Sequence, residues 1–294
     1  MAKLKRTLVY DLLFKKMFVD HPGLLKDLVS ALMGISLESI SKFMVINSEI
    51  PPGALGEKHC RLDVNMTVDG QRIALEVQAR DEGDFPERTL YYWAKDYTSS
   101  ISSGDDYQDL SRAVIFSIID FKLFSCKEYR SEFQILEVSR FEPLCDKMAL
   151  AYFELPKVSD EIDPTDRLWL WLSLFKAKTK EDLERIRALE VPIMVEAIEA
   201  YESTTSSSEF RELERLRERA RHNEAAALRH ARNEGIKEGE RIGEQKGTLK
   251  GERLGELRAK LNIAKSLLEF NIPIDKISVA TGLAAEEIEK FSNW

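Results

Sequence analysis

The stretch Cys60-Arg-Leu-Asp63-Val-Asn-Met-Thr-Val68-Asp69-Gly70-Gln71-Arg-Ile-Ala-Leu-Glu76-Val-Gln78-Ala-Arg80 holds two alternating runs joined by Asp69-Gly70. In residues 60–68, Leu62, Val64, Met66 and Val68 share one face, with Arg61, Asp63 and Asn65 on the other. In residues 71–80, Ile73, Leu75, Val77 and Ala79 face one way and Ala74, Glu76 and Gln78 the other. Period-two alternation marks half-buried strands, and Asp-Gly between two such runs predicts a hairpin with a two-residue turn. That turn pairs 68 with 71, 66 with 73 and 63 with 76. Asp63 and Glu76 then lie directly opposite each other, where Cβ atoms stand ~4.5–5.5 Å apart and like charges repel. Two carboxylates so placed call for a cation or a proton. Mg2+, which takes one or two carboxylates together with waters and phosphate oxygens, resolves the conflict. Gln78 projects beside the pair, and Glu49 of Glu49-Ile-Pro-Pro offers a third carboxylate just upstream. The competing account is a surface ion network with Arg61, Arg72 and Arg80, since exposed networks are common and weak.

Upstream, Leu12, Leu13, Met17 and Phe18 fall at helical spacing. Pro22 opens a second helix carrying Leu24, Leu25, Leu28, Val29 and Leu32, and Gly34 closes it. Residues 43–46 form a short apolar run that the loop Pro51-Pro52-Gly53 ends. Downstream, residues 84–103 read as a helix, and 112–119, 133–138 and 148–155 as strands. This order predicts an α/β or α+β core of about 150 residues, one ordinary domain's length. After Pro156 the pattern is helical throughout: residues 157–205 form a helical extension packed on the core, 206–270 a long charged helix, and 271–294 a small helical hairpin. The last of these has some likeness to a helix-turn-helix, but it is short and ends acidic.

Composition narrows the function classes. The 43 Lys and Arg against 51 Asp and Glu give a net charge of −8 over 294 residues. Residues 201–294 carry 17 of each sign, so residues 1–200, with 26 against 34, hold the whole excess. A uniformly basic nucleic-acid coat is excluded; a local basic patch or a metal-assisted site is not. No apolar run approaches the ~18 residues of a membrane span, and no signal-peptide core follows the basic start. Three cysteines without C-x-x-C spacing and four scattered histidines suggest neither a disulfide framework nor a zinc site, and a cytoplasmic setting is expected.

Asp63, a hairpin and then Glu76-Val77-Gln78 resembles the D…(D/E)-x-K signature of the PD-(D/E)XK nuclease superfamily, with Gln in the place of Lys. The wider series is similar to the Rpn family of recombination-promoting nucleases and transposases: Asp11-Leu-Leu-Phe14-Lys15-Lys-Met-Phe18, Arg61-Leu-Asp63-Val, Glu76-Val-Gln78, Arg88-Thr-Leu-Tyr91-Tyr92 and Val114-Ile-Phe-Ser-Ile-Ile-Asp120-Phe. It runs in order over roughly residues 5–200. The resemblance implies a restriction-endonuclease-like α/β core, a mixed sheet flanked by helices, over residues 1–156. It also implies metal-dependent hydrolysis of DNA, linked to recombination or mobile DNA. Asp63, Glu76 and the Val77 carbonyl would hold Mg2+ or another divalent cation, with Glu49 a further candidate ligand, and Gln78 would hold a water without bringing charge. Lys58, Arg80, Arg88 and Lys95 are candidates to restore that charge. The alternative is a weak or inactive nuclease fold that serves as an oligomeric interaction or regulatory module.

Two further segments carry expectations. On a helix, Arg88, Tyr91, Tyr92 and Lys95 share one face that could meet a phosphate backbone and stack bases, unless the tyrosines are boundary aromatics. Lys15 is a further candidate DNA contact. In the tail, Gly235, Gly239, Gly243, Gly247, Gly251 and Gly255 recur every fourth residue. Each costs a helix ~0.8–1.0 kcal/mol relative to Ala. A close-packed helix–helix interface, most simply a homo-oligomer, would offset that cost; a flexible charged linker is the other account.

Overall fold

Helical apolar spacing at the N-terminus becomes α1 (Asp11–Asp20) and α2 (Pro22–Met33). Pro22 begins α2, and Gly34 ends it in the left-handed region (φ 69°), where a side chain would be strained. The chain is described by a computed structural model over residues 2–50 and 60–292. The loop Pro51-Pro52-Gly53 lies outside those residues. Next come β1 (Phe43–Ile46), β2 (Glu49–Ile50), β3 (Cys60–Arg61), β4 (Val64–Val68) and β5 (Gln71–Gln78). They are followed by α3 (Phe85–Thr98), β6 (Ala113–Ile119), β7 (Arg130–Phe133) and β8 (Met148–Glu154).

Six strands form one mixed sheet in the order β1-β4-β5-β6-β8-β7, and β2 and β3 pair separately. The β5–β6 and β6–β8 pairs are parallel, and the rest are antiparallel. The β4–β5 register runs Val64↔Leu75 to Val68↔Gln71, as the Asp69-Gly70 turn requires. Both turn residues have positive φ (47° and 83°), the geometry that makes Asp-Gly suited to it. Every residue of β6 and β8 is buried, as expected of central parallel strands covered on both faces. One face carries Val64, Met66, Ile73, Leu75, Val77, Phe116 and Phe153 against the α1 and α2 side chains. The other carries Ala74, Ile115, Ile119, Leu150 and Tyr152 against Phe85 of α3.

Then follow α4 (Arg167–Lys176), α5 (Lys180–Arg187), α6 (Pro192–Ser206) and α7 (Ser208–Glu269). Phe18 sits 5.7 Å from Trp171 and 6.2 Å from Phe175, ring centre to ring centre, tying α1 to α4. The first compact unit covers residues 1–215 and includes the start of α7: Phe210 is buried and Glu214 accepts from Arg6 at 2.6 Å. The second unit, residues 216–294, holds the remainder of α7 with α8 (Ile274–Thr281) and α9 (Ala285–Ser292) around Ala264, Ile277, Leu283 and Ile288. Among the described residues no helix is long and apolar enough to cross a membrane.

Two strand assignments are corrected. The run 60–68 is not one strand: it breaks at Leu62 and Asp63, and Leu62 joins the α3-side layer instead of the face of Val64 and Met66. The strand expected at 133–138 lies earlier, at Arg130–Phe133, opposite Phe153–Leu150 of β8. It is an edge strand rich in polar residues, so its pairing leaves little apolar alternation to read. Beyond it the chain turns back through a Leu136↔Pro143 bridge, leaving Val138 and Phe141 exposed.

Candidate active site

The break in β4 creates the site. Leu62 donates its N–H to the Ser48 carbonyl at 2.9 Å, which turns the chain away from β5 just beyond Val64. In β5, Arg72 donates to Arg112 and the Gln78 carbonyl accepts from Asp120, so even-numbered main-chain groups point to β6. Those of Val77 point the other way, toward β4, where no strand remains to receive them. The Asp63 side chain takes that place: its Oδ2 accepts the Val77 N–H at 2.9 Å. In return, Glu76 Oε1 accepts the Asp63 N–H at 3.0 Å. The two carboxylates predicted from the turn arithmetic are thus locked to each other's strands by reciprocal bonds.

Burial sets their electrostatics. The Asp63 side chain is 11% exposed, and Glu76 is 7% exposed. Burial pushes the Asp63 carboxyl up, opposed by the nearby Lys15 ammonium and the Val77 N–H and reinforced by the Asp11 charge. Burial, and then the Asp63 charge, holds Glu76 well above the usual carboxylate range, with Lys15 and Arg88 acting against it. A surface ion network does not describe this pair. Arg61 lies 3.5 Å from Glu49 instead, and Arg72 binds the buried Asp96 at 2.6 Å.

The other expected residues fall as follows. Gln78 follows Glu76 on β5, but its Nε2 donates to the Arg80 carbonyl at 3.0 Å, so the amide turns back along its own chain. Glu49 lies opposite Arg61 in the β2–β3 pair. Its side chain is 65% exposed on Arg61, and among the described residues no three His, Cys, Asp or Glu side chains converge as a metal shell. Lys58 lies outside the described residues. Arg88 faces the site closely enough to act on Glu76, while its Nη1 is 2.7 Å from Glu82 and its guanidinium lies 5.1 Å over the Phe85 ring. Further along α3, Lys95 sits 5.9 Å over the Tyr91 ring, and Tyr91 and Tyr92 are half-buried against the Phe85 layer. Lys15, expected only as a DNA contact, reaches the pair itself, with its Nζ 3.1 Å from Asp63 Oδ1. Its position among Leu13, Phe14, Met17 and Phe18 gave the only hint, since that packing fixes which way the helix faces.

The donor set suits a small hard cation: two buried carboxylates, with the Val77 carbonyl on the same edge as the N–H that Asp63 accepts. Mg2+ takes one or two carboxylates and completes its octahedron with water and phosphate oxygens, so the missing third carboxylate is no obstacle. A cation there would also relieve the charge repulsion that now raises Glu76.

Comparison with known proteins identifies the family. A family model described as PD-(D/E)XK nuclease family transposase matches residues 8–231. No curated protein and no solved structure matches the chain significantly. The match takes in the whole mixed sheet, the interrupted hairpin with Asp63 and Glu76, and α1 with Lys15; the chain belongs to the PD-(D/E)XK nuclease family transposases.

Proposed function

We propose that the protein is a metal-dependent DNA endonuclease associated with recombination or mobile DNA. The observation that carries this reading is the buried, mutually bonded Asp63–Glu76 pair at the broken end of β4. Asp63, Glu76 and the Val77 carbonyl would hold the cation, and a divalent ion bound there would supply a Lewis acid for a phosphoryl oxygen and a more acidic water. Asp63 is oriented by the Val77 N–H, and Glu76 by the Asp63 N–H, so neither carboxylate has to be reorganised when substrate arrives. Arg88, Tyr92 and Lys95 on α3 are proposed to meet the DNA, with the guanidinium nearest the carboxylates.

The test is cleavage of supercoiled plasmid with Mg2+, Mn2+ or Ca2+ by the wild-type protein, Asp63→Asn and Glu76→Gln. Nicking that needs Mg2+ or Mn2+ and vanishes in both variants supports the reading; nicking that survives both removes the assigned site.

One observation favours a second reading. Position 78 carries Gln where the signature has Lys, and its Nε2 donates to the Arg80 carbonyl, so no charge stands there. A catalytically weak nuclease fold that acts as an oligomeric interaction or regulatory module fits that feature, and no cleavage with any metal would select it. In either case α7 is proposed as a homo-oligomer interface. Leu228, Ile236, Ile242, Leu249, Leu254 and Leu257 are all exposed along it, and a Cβ added at any of its six glycines meets nothing within 4 Å.

A further inference from the structure

We propose that Lys15 supplies, from α1, the positive charge that Glu76-Val77-Gln78 does not provide. The inference rests on the nuclease reading and names one of its working groups.

Three observations carry it. First, the Lys15 ammonium is bound to Asp63, with its Nζ 3.1 Å from Oδ1, and its charge acts on Glu76 as well, ahead of that of Arg88. Second, it is held there by packing. Leu13, Phe14, Met17 and Phe18 are buried on both sides of it along α1, and the Lys15 side chain is only 24% exposed. Its neighbour Lys16 turns to Asp20 at 2.9 Å and Glu209 at 3.1 Å, so the helix sorts the two lysines to different tasks. Third, the groups that could compete with it have partners elsewhere: Gln78 Nε2 donates to the Arg80 carbonyl, and Arg88 lies on Glu82 and the Phe85 ring, while Asp11 brings a further negative charge near Asp63.

Charge balance gives Lys15 its role. Two carboxylates and one divalent cation would sum to zero, Asp11 adds a negative charge near Asp63, and a phosphodiester brings one more that grows as it is attacked. In hydrolysis the water oxygen bonds to phosphorus and the bond from phosphorus to one sugar oxygen breaks. One water proton passes to solvent, and the departing oxygen gains one. Lys15 transfers no proton in this scheme. A lysine ammonium has three donors on a flexible four-carbon stem, so it can keep one hydrogen bond to Asp63 and aim another at a phosphoryl oxygen. The charge stands where the growing negative charge needs it, although it comes from a helix 61 residues before Glu76 in the chain.

The experiment compares wild type, Lys15→Met, Lys15→Arg and the double variant Lys15→Met/Gln78→Lys. Plasmid cleavage in Mn2+, Mn2+ binding by calorimetry and the melting temperature are measured for each. K15M should lose roughly 100-fold or more in cleavage, the scale for removing one transition-state donor. It should also bind Mn2+ at least as tightly as wild type, because a like charge has gone. K15R should keep part of the activity, and moving the lysine to position 78 should recover at least about tenfold over K15M. K15M that cleaves like wild type overturns the proposal alone. So does K15M that binds Mn2+ more weakly, which would make Lys15 a mere support for Asp63. Wild-type protein that cleaves nothing overturns the nuclease reading and this inference with it. Should K15M melt far below wild type, K15R and the double variant decide: inactivity in both, with wild-type melting, overturns it.

Discussion

Asp63 Oδ2 accepts the Val77 N–H at 2.9 Å, in the place where an uninterrupted β4 would offer a main-chain carbonyl. The side chain therefore completes the sheet as well as carrying the charge. Asp63→Asn, with its amide oxygen toward Val77, keeps that bond and should change urea stability by less than about 1 kcal/mol while abolishing cleavage. Asp63→Ala leaves a buried N–H without its partner and should cost about 1–3 kcal/mol in the same measurement. Equal stability losses in the two variants would refute the structural half of this account.

Glu76 links stability to pH. Its folded-state pKa is raised by burial and by Asp63, so the folded metal-free protein binds this proton more tightly than the unfolded chain. The resulting stability is fully present below the ordinary carboxylate pKa and is lost as pH rises through the raised value. Glu76→Gln removes this dependence. At neutral pH without metal it should melt above wild type, by about 2–4 °C for each kcal/mol of relieved penalty in a domain this size. Mn2+ should raise the wild-type melting temperature and leave the variant nearly unmoved. A variant that melts below wild type at pH 7.5 would refute the charge argument.

The Glu154–Lys157 pair lies deep at the end of β8, with side chains 0% and 6% exposed and 2.5 Å between them. Glu154 also accepts the Leu123 N–H at 2.7 Å, which anchors the segment after β6. Lys157→Met should cost about 3–5 kcal/mol, because it leaves a buried carboxylate without its cation. Chemical denaturation reads this directly, and a loss under 1 kcal/mol would contradict it.

The glycine ladder has opposite consequences for one chain and for an assembly. In a lone helix, Gly243→Ala/Gly247→Ala should stabilise by about 0.8–1.0 kcal/mol per site, since the added Cβ atoms meet nothing. At a close-packed interface the same methyl groups should lower the oligomeric mass seen by light scattering. Truncation should lower it too. The cut belongs after Arg215, because a cut at Tyr201 would also strip Phe210 and Glu214 from the first unit. An unchanged mass in both proteins would end the oligomer proposal.

Much of this was legible in the sequence because it depended on local rules. Asp69-Gly70 admits one turn, and that turn fixes the register from Val64↔Leu75 to Val68↔Gln71, hence the approach of Asp63 to Glu76. Gly34 and Pro22 marked the ends of α2 in the same way. What stayed hidden depended on contacts between distant segments. Alternation put Leu62 with Val64, whereas the Ser48 carbonyl, 14 residues upstream, pulls it to the opposite layer. The shift of β7 arose because an edge strand needs little apolar alternation. Lys15 carried no motif linking it to Asp63, 48 residues away in sequence, since only the packing of α1 decides where its ammonium ends.

The broken strand also bears on how such a protein could change over generations. One bond of its sheet depends on an oxygen atom at Asp63, whereas its proposed chemistry depends on the charge of that carboxylate. An aspartate-to-asparagine exchange needs one nucleotide change, and it would leave sheet, core and tail intact. A DNA-cutting ancestor and a harmless scaffold descended from it would thus be separated by a single codon, with no unstable intermediate to purge.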